Sequence, residues 1–295
     1  MRLFILKSEV KSELKEFWIS FSQNRGAVLS LCVLGVFLFL AIFSAWIAPH
    51  APSVVDTEAL RLPPVWSSGG MGRYFLGTDD VGRDVLSRLI YGARVSLGVG
   101  FLVVLLATSV GSFLGLLAGY FGGWLDQLIQ RITDVLMSLP SILLSIVVLT
   151  ILGPGLTNAI IAVSVVALPG FIRIARAAAL TEKSKPYVIA ARSFGAGHFY
   201  ILFSNVLPNC WAPLIVQATH AFSDGILNVA ALGFLGLGAQ PPTPEWGTML
   251  ADARPFIESA PWLVTLPGLC ILLVVLGFNL VGDGLRDAFD PKLKK

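Results

Sequence analysis

The polar residues best placed to do chemistry inside an apolar stretch are His220, Asp224 and Asn228, which recur every four positions. Residues four apart share one face of a helix, so their side chains are predicted to form one stripe. An ionisable group at membrane depth is costly and usually faces a cavity or a partner. We interpret the stripe as the lining of a translocation path. A proton relay and a purely structural hydrogen-bond set are the alternatives.

A second group of charges lies in the stretch LGTDDVGRDVLSRL, and it permits two hypotheses. Thr78 or Asp79 could cap an amphipathic helix over Gly77 to Arg94, lying on the membrane interface before a spanning helix. In that case the charges fix the helix by capping and salt pairs. In the other hypothesis they bind peptide, and the set is Asp79, Asp80, Arg83 and Asp84.

Sequence motifs for catalysis and for nucleotide binding are absent from the chain. There is no G-x-x-x-x-G-K-[ST] phosphate loop, no H-E-x-x-H and no G-x-S-x-G. The histidines His50, His198 and His220 are far apart in sequence and give no metal-ligand spacing. We therefore predict a protein that is not an enzyme, with no catalytic residue, no metal site and no cofactor of its own.

The composition predicts that membrane-spanning helices position these residues. Hydrophobic residues make up 55% of the 295 residues and charged residues only 13%, with a mean hydropathy of +0.79. Soluble domains carry about 25% charged residues, so the chain is predicted to be an all-α membrane protein. Its length suits six spans of roughly 20 residues. The net charge of +3 is too small to suggest nucleic-acid binding.

The apolar runs divide the chain as follows. Residues 1–25 are predicted to be a cytoplasmic amphipathic segment, 26–48 the first span, and 49–95 an extracytoplasmic loop that includes the amphipathic helix. A core of five spans then covers residues 96–283, and 284–295 form a cytoplasmic tail. The predicted core spans lie at about 96–120, 134–152 with a kink at Pro140, 158–178, 211–238 and 263–281. Glycines four apart predict close helix packing at Gly111, Gly115 and Gly119.

Between the fourth and fifth spans, the coupling loop at 179–210 holds YVIAARSFGAGHFYILFSNVLPN, the longest central segment that cannot lie in a bilayer. Ala190 and Ala191 come shortly before Gly195, which should bend the chain between two short helices. The pair Leu207 and Pro208 should end the second helix. This pattern predicts a docking element between two spans.

This pattern resembles the coupling loop of ATP-binding-cassette (ABC) importer permeases, in which Glu-Ala-Ala, three residues, Gly, about ten residues and Leu-Pro form the helix that docks on the ATPase. Ala190, Ala191, Gly195, Leu207 and Pro208 match, whereas Ile189 stands in place of the Glu. The stretches Leu76 to Leu97 and Ala231 to Leu250, with the ending GDGLRDAFDPKLK, resemble the dipeptide, oligopeptide and nickel permeases of that class, and most closely the dipeptide branch. The resemblance covers about Phe17 to Lys294.

The resemblance implies a type I ABC importer permease fold in a bacterial cytoplasmic membrane. It also implies a second, homologous permease subunit, two cytoplasmic ATPases that bind ATP and Mg, and an extracytoplasmic solute-binding protein. Dipeptides or short peptides are the implied solute, with oligopeptide, nickel or haem as alternatives. The face that carries both termini and the coupling loop would hold 15 of the 21 Lys and Arg residues, which predicts that this face is cytoplasmic.

The sequence is also compared with two other classes of function. A secondary transporter driven by an ion gradient would need intramembrane acids, for which Asp224 is the candidate, and usually an internal repeat, which is not visible. A membrane-embedded hydrolase would need a nucleophile with a base nearby, and none is evident. We favour the permease of an ATP-driven importer.

Overall fold

The computed structural model describes residues 15–289, and these form helices joined by loops, without a β-strand. The helices used below are α1 (Arg25–Ile42), α2 (Val85–Phe121), α3 (Gly123–Met137), α4 (Ser141–Leu152), α5 (Leu156–Lys183), α6 (Pro186–Ser193), α7 (Trp211–Phe234), α8 (Trp246–Ala253) and α9 (Trp262–Phe289). Within the described range, α1, α2, α5 and α9 are each long and apolar enough to cross a membrane, as is the helical stretch from His198 to Phe234 that contains α7. The count of such helices is five, or six if α3 and α4 are one broken span.

The third span does not have the predicted bounds of 134–152. The chain bends by 97° between α3 and α4, and Asp134 lies in α3 instead of beginning a span. Pro140 directly precedes α4 and has no N–H to continue the preceding helix. Helix α4 has 12 residues and is about 18 Å long, shorter than the ~30 Å hydrocarbon core. The break at Pro140 is therefore a corner, much sharper than the predicted kink.

The prediction of a separate interfacial helix over Gly77 to Arg94 is also wrong. Residues 77–84 are not helical, and α2 then runs without interruption from Val85 to Phe121. Its cap is Asp84, whose carboxylate accepts a hydrogen bond from the Ser87 N–H, and neither Thr78 nor Asp79 has this role. Since α2 has 37 residues, it is about 55 Å long.

Packing of α2 against α5 forms a large part of the helix core. A Cβ on Gly115 would lie 2.4 Å from the Ile172 carbonyl oxygen, and one on Gly119 would lie 2.6 Å from that of Arg176. Only glycine permits this approach, so the predicted packing role of the Gly111, Gly115 and Gly119 stripe is confirmed.

The N-terminal segment is described only over 15–23, which are helical; residues 1–14 and 290–295, including the end of the predicted tail, lie outside the described residues. Phe21 is buried and lies close to Gly284 of α9, while the rings of Phe17 and Phe289 are 5.1 Å apart. The described part of this segment thus packs its apolar side against the end of α9.

Candidate functional site

The first candidate site is the Gly195 segment, defined here as residues 184–210. Helix α6 carries Ala190 and Ala191 and ends just before Gly195, whose φ of +82° is one that residues with a side chain rarely adopt. The bend predicted at Gly195 is therefore present.

The predicted stop at Leu207 and Pro208 is wrong. After His198–Tyr200, the chain continues as a π-helix over Ile201–Val206 and a 3₁₀ helix over Leu207–Cys210, and then enters α7 directly. Pro208 is tolerated because it lies at the start of the 3₁₀ turn, where its missing N–H breaks no bond. The second half of the Gly195 segment is thus joined to α7 as one helical path.

The outer surface of the Gly195 segment is unusually apolar. The exposed fraction is 92% for Phe194, 68% for Phe199, 62% for Tyr200 and 56% for Ile189. Large exposed apolar groups lying together mark surfaces that contact another molecule. This end of the chain therefore presents a contact surface that residues 15–289 do not cover.

The base of the Gly195 segment is held by polar contacts centred on Glu182, which is buried at the end of α5. The Tyr187 hydroxyl donates to the Glu182 carboxylate and accepts a hydrogen bond of 3.1 Å from the Asn209 amide. Lys185 Nζ lies 2.7 Å from the same carboxylate. Burial, together with the hydrogen bond to Glu182, raises the pKa of Tyr187 to about 12, so its hydroxyl keeps its proton at neutral pH. These contacts connect α5, α6 and the approach to α7.

The Gly195 segment and Lys183, the last residue of α5, are both joined to the end of α2. Lys183 Nζ donates to the carbonyl oxygens of Gly119, at 2.7 Å, and of Tyr120, at 3.4 Å. The Tyr120 hydroxyl lies 3.0 Å from His198 Nδ1. A cation at the C-terminal carbonyls of a helix is favourably placed for the helix dipole. A displacement of the Gly195 segment would thus act on α2, α5 and α7 together.

The predicted path residues are separated in the structure. His220 Nδ1 lies 3.3 Å from Asn279 Oδ1 of α9, whereas Asp224 is exposed on the surface of the chain and Asn228 is half-buried. The Asn228 amide donates to the Asp224 backbone carbonyl, and no hydrogen bond among the described residues joins the three side chains to one another. The geometry therefore shows no relay through this stripe, and the path lining stays a prediction.

At the opposite end of α2 lies what we call the ion-pair cluster, which consists of Asp79, Asp80, Arg83, Arg88 and Asp252. Arg83 Nε is 2.6 Å from Asp79 Oδ2, and Arg88 Nε is 3.5 Å from the same oxygen. Arg88 is only 2% exposed. Asp252 comes from α8 and lies 3.7 Å from Arg83; burial raises its pKa, while the charges of Arg83 and Arg88 act in the opposite direction.

The second charge group of this end is centred on Asp84. Its carboxylate accepts hydrogen bonds from the N–H and the hydroxyl of Ser87, at 3.0 and 2.5 Å, and lies 3.3 Å from His50 Nδ1. Because Asp79, Arg83 and Asp84 are all buried and bonded within the chain, capping and salt pairs account for the charged stretch. These contacts give no support to the hypothesis of a peptide-binding set.

Glu245 is a further buried charge, and no pattern in the sequence singled it out. It is 2% exposed and caps α8, with its carboxylate accepting from the N–H groups of Gly247 and Thr248 at 2.9 and 2.8 Å. Burial raises its pKa, and these hydrogen bonds oppose the shift. The Ser96 hydroxyl donates to it at 3.3 Å from α2. Because Glu is not among the residues preferred at N-caps, the sequence contained no signal for this cap.

Two family models match separate parts of the chain. Residues 111–295 match the family model described as binding-protein-dependent transport system inner membrane component. Residues 12–64 match the N-terminal transmembrane domain of oligopeptide transport permease C. The first of these matches alone covers more than half of the chain.

Several curated relatives align over almost their full length. The chain is 52% identical over 285 residues to the dipeptide transport system permease protein DppC of Haemophilus influenzae, covering 97% of each chain. It is 57% identical over 282 residues to the protein of the same name from Escherichia coli, covering 96% of this chain and 94% of that one. It is 55% identical over 283 residues to the di/tripeptide transport system permease protein DppC of Pseudomonas aeruginosa, covering 96% and 93%.

A solved structure shares the fold at low sequence identity. It is titled as an inward facing conformation of the MetNI methionine ABC transporter, and its chain matches with a TM-score of 0.56 and 22% identity, over 69% of this chain and 97% of that chain. The predicted all-α fold of a type I ABC importer permease is thereby confirmed. With its family match and these full-length relatives, the chain belongs to the inner-membrane components of binding-protein-dependent transport systems.

Proposed function

We propose that this chain is the permease subunit of an ABC importer that moves dipeptides or short peptides across the bacterial inner membrane. The solute is inferred from the relatives, whose names specify dipeptide or di/tripeptide transport. Each of these relatives aligns with more than nine-tenths of this chain. The proposed partners are a second, homologous permease subunit, two cytoplasmic ATPases that bind ATP and Mg, and an extracytoplasmic solute-binding protein. The chain itself is not an enzyme in this proposal.

The observation that carries the mechanism is the position of the Gly195 segment, with exposed Phe194 and Phe199 on its outer side. At its base the segment is bonded to α2 and α5, and its chain continues directly into α7. We assign ATPase coupling to this segment, including Ala190, Ala191, Gly195, Leu207 and Pro208. Closure of the ATPases would displace α6, and the contacts of Lys183 and Tyr187 would pass that displacement to α2, α5 and α7. The spans would then open toward the side where the binding protein releases its cargo.

This assignment sets the orientation. The Gly195 segment, both termini and the ATPases lie on the cytoplasmic side, in agreement with the excess of Lys and Arg on that face. The ion-pair cluster then lies on the extracytoplasmic side, where it fixes the loops that meet the binding protein. His220, Asp224 and Asn228 keep their proposed place along the path, because Asp224 is exposed on the isolated chain and needs a polar neighbour or a water-filled space at that depth.

Reconstitution into vesicles tests the proposal. The chain with its co-purifying subunits should accumulate a labelled dipeptide only with ATP and binding protein present, whereas the chain alone should move none. Uphill transport by the chain alone, without a nucleotide-binding subunit, would identify a secondary transporter instead. In a deletion strain, unchanged dipeptide uptake together with lost nickel or haem uptake would contradict the assigned solute.

A further inference from the structure

An apolar groove with a volume of about 900 Å³ separates α1 from the helices α2, α7 and α9. Its walls are formed by apolar side chains such as Leu38 of α1, Phe101 of α2 and Ile215 of α7, all of them partly or largely exposed. Contacts of α1 with α2 and α9 close the groove on its inner side. The space is large enough to hold a flexible apolar ligand.

Two glycines of this groove are not explained by packing within the described chain. A Cβ on Gly35 of α1 or on Gly98 of α2 would meet nothing within 4 Å, although both residues line the groove. The packing glycine Gly115, in contrast, has a neighbouring atom 2.4 Å from such a Cβ. Glycine inside a helix is less favourable than alanine by about 1 kcal/mol. The missing side chains therefore leave room for something outside this chain.

Arg94, a positively charged residue of the groove lining, indicates that the ligand carries a negative charge. Among the described residues, it is the charged side chain of the groove lining, it is exposed, and no ion pair or hydrogen bond joins it to another side chain. Residues 95–121 of α2 contain no charged residue, so Arg94 marks the point where this helix enters the hydrocarbon core. A guanidinium at this level binds phosphate through two parallel hydrogen bonds.

The charge at one end of the groove distinguishes between two possible occupants. The lining runs from Leu31 to Ile42 on α1, about 17 Å, and from Arg94 to Val104 on α2, about 15 Å, and it continues on α7 from Phe222 to Ile215. A spanning helix of a neighbouring subunit would place apolar side chains at the level of Arg94 and leave its guanidinium without an anion. A phospholipid covers the apolar walls with its acyl chain and brings a phosphate to Arg94.

We propose that the groove between α1 and α2 is a binding site for a phospholipid, with an acyl chain against Gly35 and Gly98 and the phosphate at Arg94. The bound lipid completes the packing of α1 against the rest of the bundle. The proposal does not depend on which solute the protein carries.

Lipid retention provides the first test. The protein would be purified from bacterial membranes with its accompanying subunits, washed in mild detergent, and analysed by native mass spectrometry for bound phospholipid. Gly98→Leu should fill the groove and abolish retention, and Arg94→Gln should weaken it by about tenfold or more. Gly268→Leu is the matched control, because a Cβ at Gly268 also meets nothing within 4 Å but lies outside the groove; Arg254→Gln is the control for an exposed arginine. Equal retention in the wild type and in Gly98→Leu would overturn the proposal.

Photo-cross-linking tests the identity of the occupant even if Gly98→Leu folds poorly. A benzophenone amino acid at Leu38, 54% exposed in the groove, should yield a phospholipid adduct that survives detergent washing before irradiation. The same probe at Leu272, 56% exposed on α9 and outside the groove, should lose its lipid adduct after washing. An adduct at Leu38 with a peptide of another permease subunit would overturn the proposal.

Discussion

The two ends of α2 use polar and apolar residues in opposite ways. At the ion-pair cluster Asp79, Arg83 and Arg88 are buried and bonded to one another, with Arg88 only 2% exposed. At the Gly195 segment the side chains that extend outward are aromatic, and Phe194 is 92% exposed. The first arrangement makes its loops part of the folded core. The second arrangement leaves an aromatic surface exposed. The stability of the chain does not depend on covering this surface, but the function that we propose for it does.

This difference predicts that a substitution in the ion-pair cluster has the largest effect on stability. Arg88→Ala removes a buried cation that lies 3.5 Å from Asp79, which keeps Arg83 at 2.6 Å. The cost should therefore be about 1.5–3 kcal/mol, less than that of an uncompensated buried charge. Thermal unfolding of the purified protein in mild detergent would measure the loss. Arg73→Ala is the control, because Arg73 is 68% exposed and its ion pair with Asp56 at 3.8 Å should contribute at most about 1 kcal/mol. Equal losses in both variants would contradict the division between buried and exposed charge.

An intermediate effect is expected at the bend of the Gly195 segment. Gly195→Val forces a β-branched residue to φ +82°, at a cost of about 1–2 kcal/mol or a local change of shape. Because the bend positions α6, we expect dipeptide uptake and ATPase coupling to fail together while the protein still reaches the membrane. Gly197→Val is a close control, since Gly197 has a φ of −67° and equally open surroundings. Normal uptake in Gly195→Val would exclude the docking role.

A smaller effect on stability is expected from Tyr187→Phe. The change removes the hydroxyl that joins Glu182 to Asn209 but leaves Lys185 paired with Glu182, so the cost should be about 1 kcal/mol. If these bonds transmit displacement, ATP hydrolysis should continue while peptide uptake per ATP falls. Tyr91→Phe, at a residue of α2 whose hydroxyl makes no hydrogen bond to another described residue, should change neither measurement. Uptake per ATP equal to that of the wild type would show that the bonds are only structural.

The smallest effect on stability is expected at Phe194. Removing a ring that is 92% exposed should change unfolding by less than about 0.5 kcal/mol. Phe194→Ala should nevertheless lower the amount of ATPase that co-purifies with this chain. Phe75→Ala removes an aromatic ring that is 54% exposed near the other end of α2 and should leave co-purification unchanged. If both variants kept the ATPase equally well, the exposed surface of the Gly195 segment would not be the contact.

The sequence was most informative where a pattern repeats. Hydropathy located the long spans, and glycines four apart located the contact of α2 with α5, because both signals recur over several helical turns. A single proline is more ambiguous. Pro140 lies at a corner of 97° whereas Pro208 lies within a continuous helical path, and local sequence does not distinguish these outcomes.

Long-range polar contacts were beyond local patterns. The Arg83 contact with Asp252 and the Ser96 contact with Glu245 join residues 169 and 149 positions apart, so no spacing rule reveals them. The charged stretch 79–88 was recognised as a set, but its burial depends on α8 packing against it. For the Gly195 segment, the bend followed from one glycine. The contacts of Lys183 depend on where α2 ends, and those of Tyr187 depend on how residue 209 packs beside the end of α5.

The uninterrupted course of α2 has a geometric consequence for both sides of the membrane. A straight rod of about 55 Å that tilts by about 5° around its middle moves each end by about 2.4 Å, in opposite directions. The buried arginines at one tip and the lysine-bound carbonyls at the other therefore cannot shift independently. A force that displaces the loops around Arg88 would therefore displace the Lys183 contact in the opposite direction.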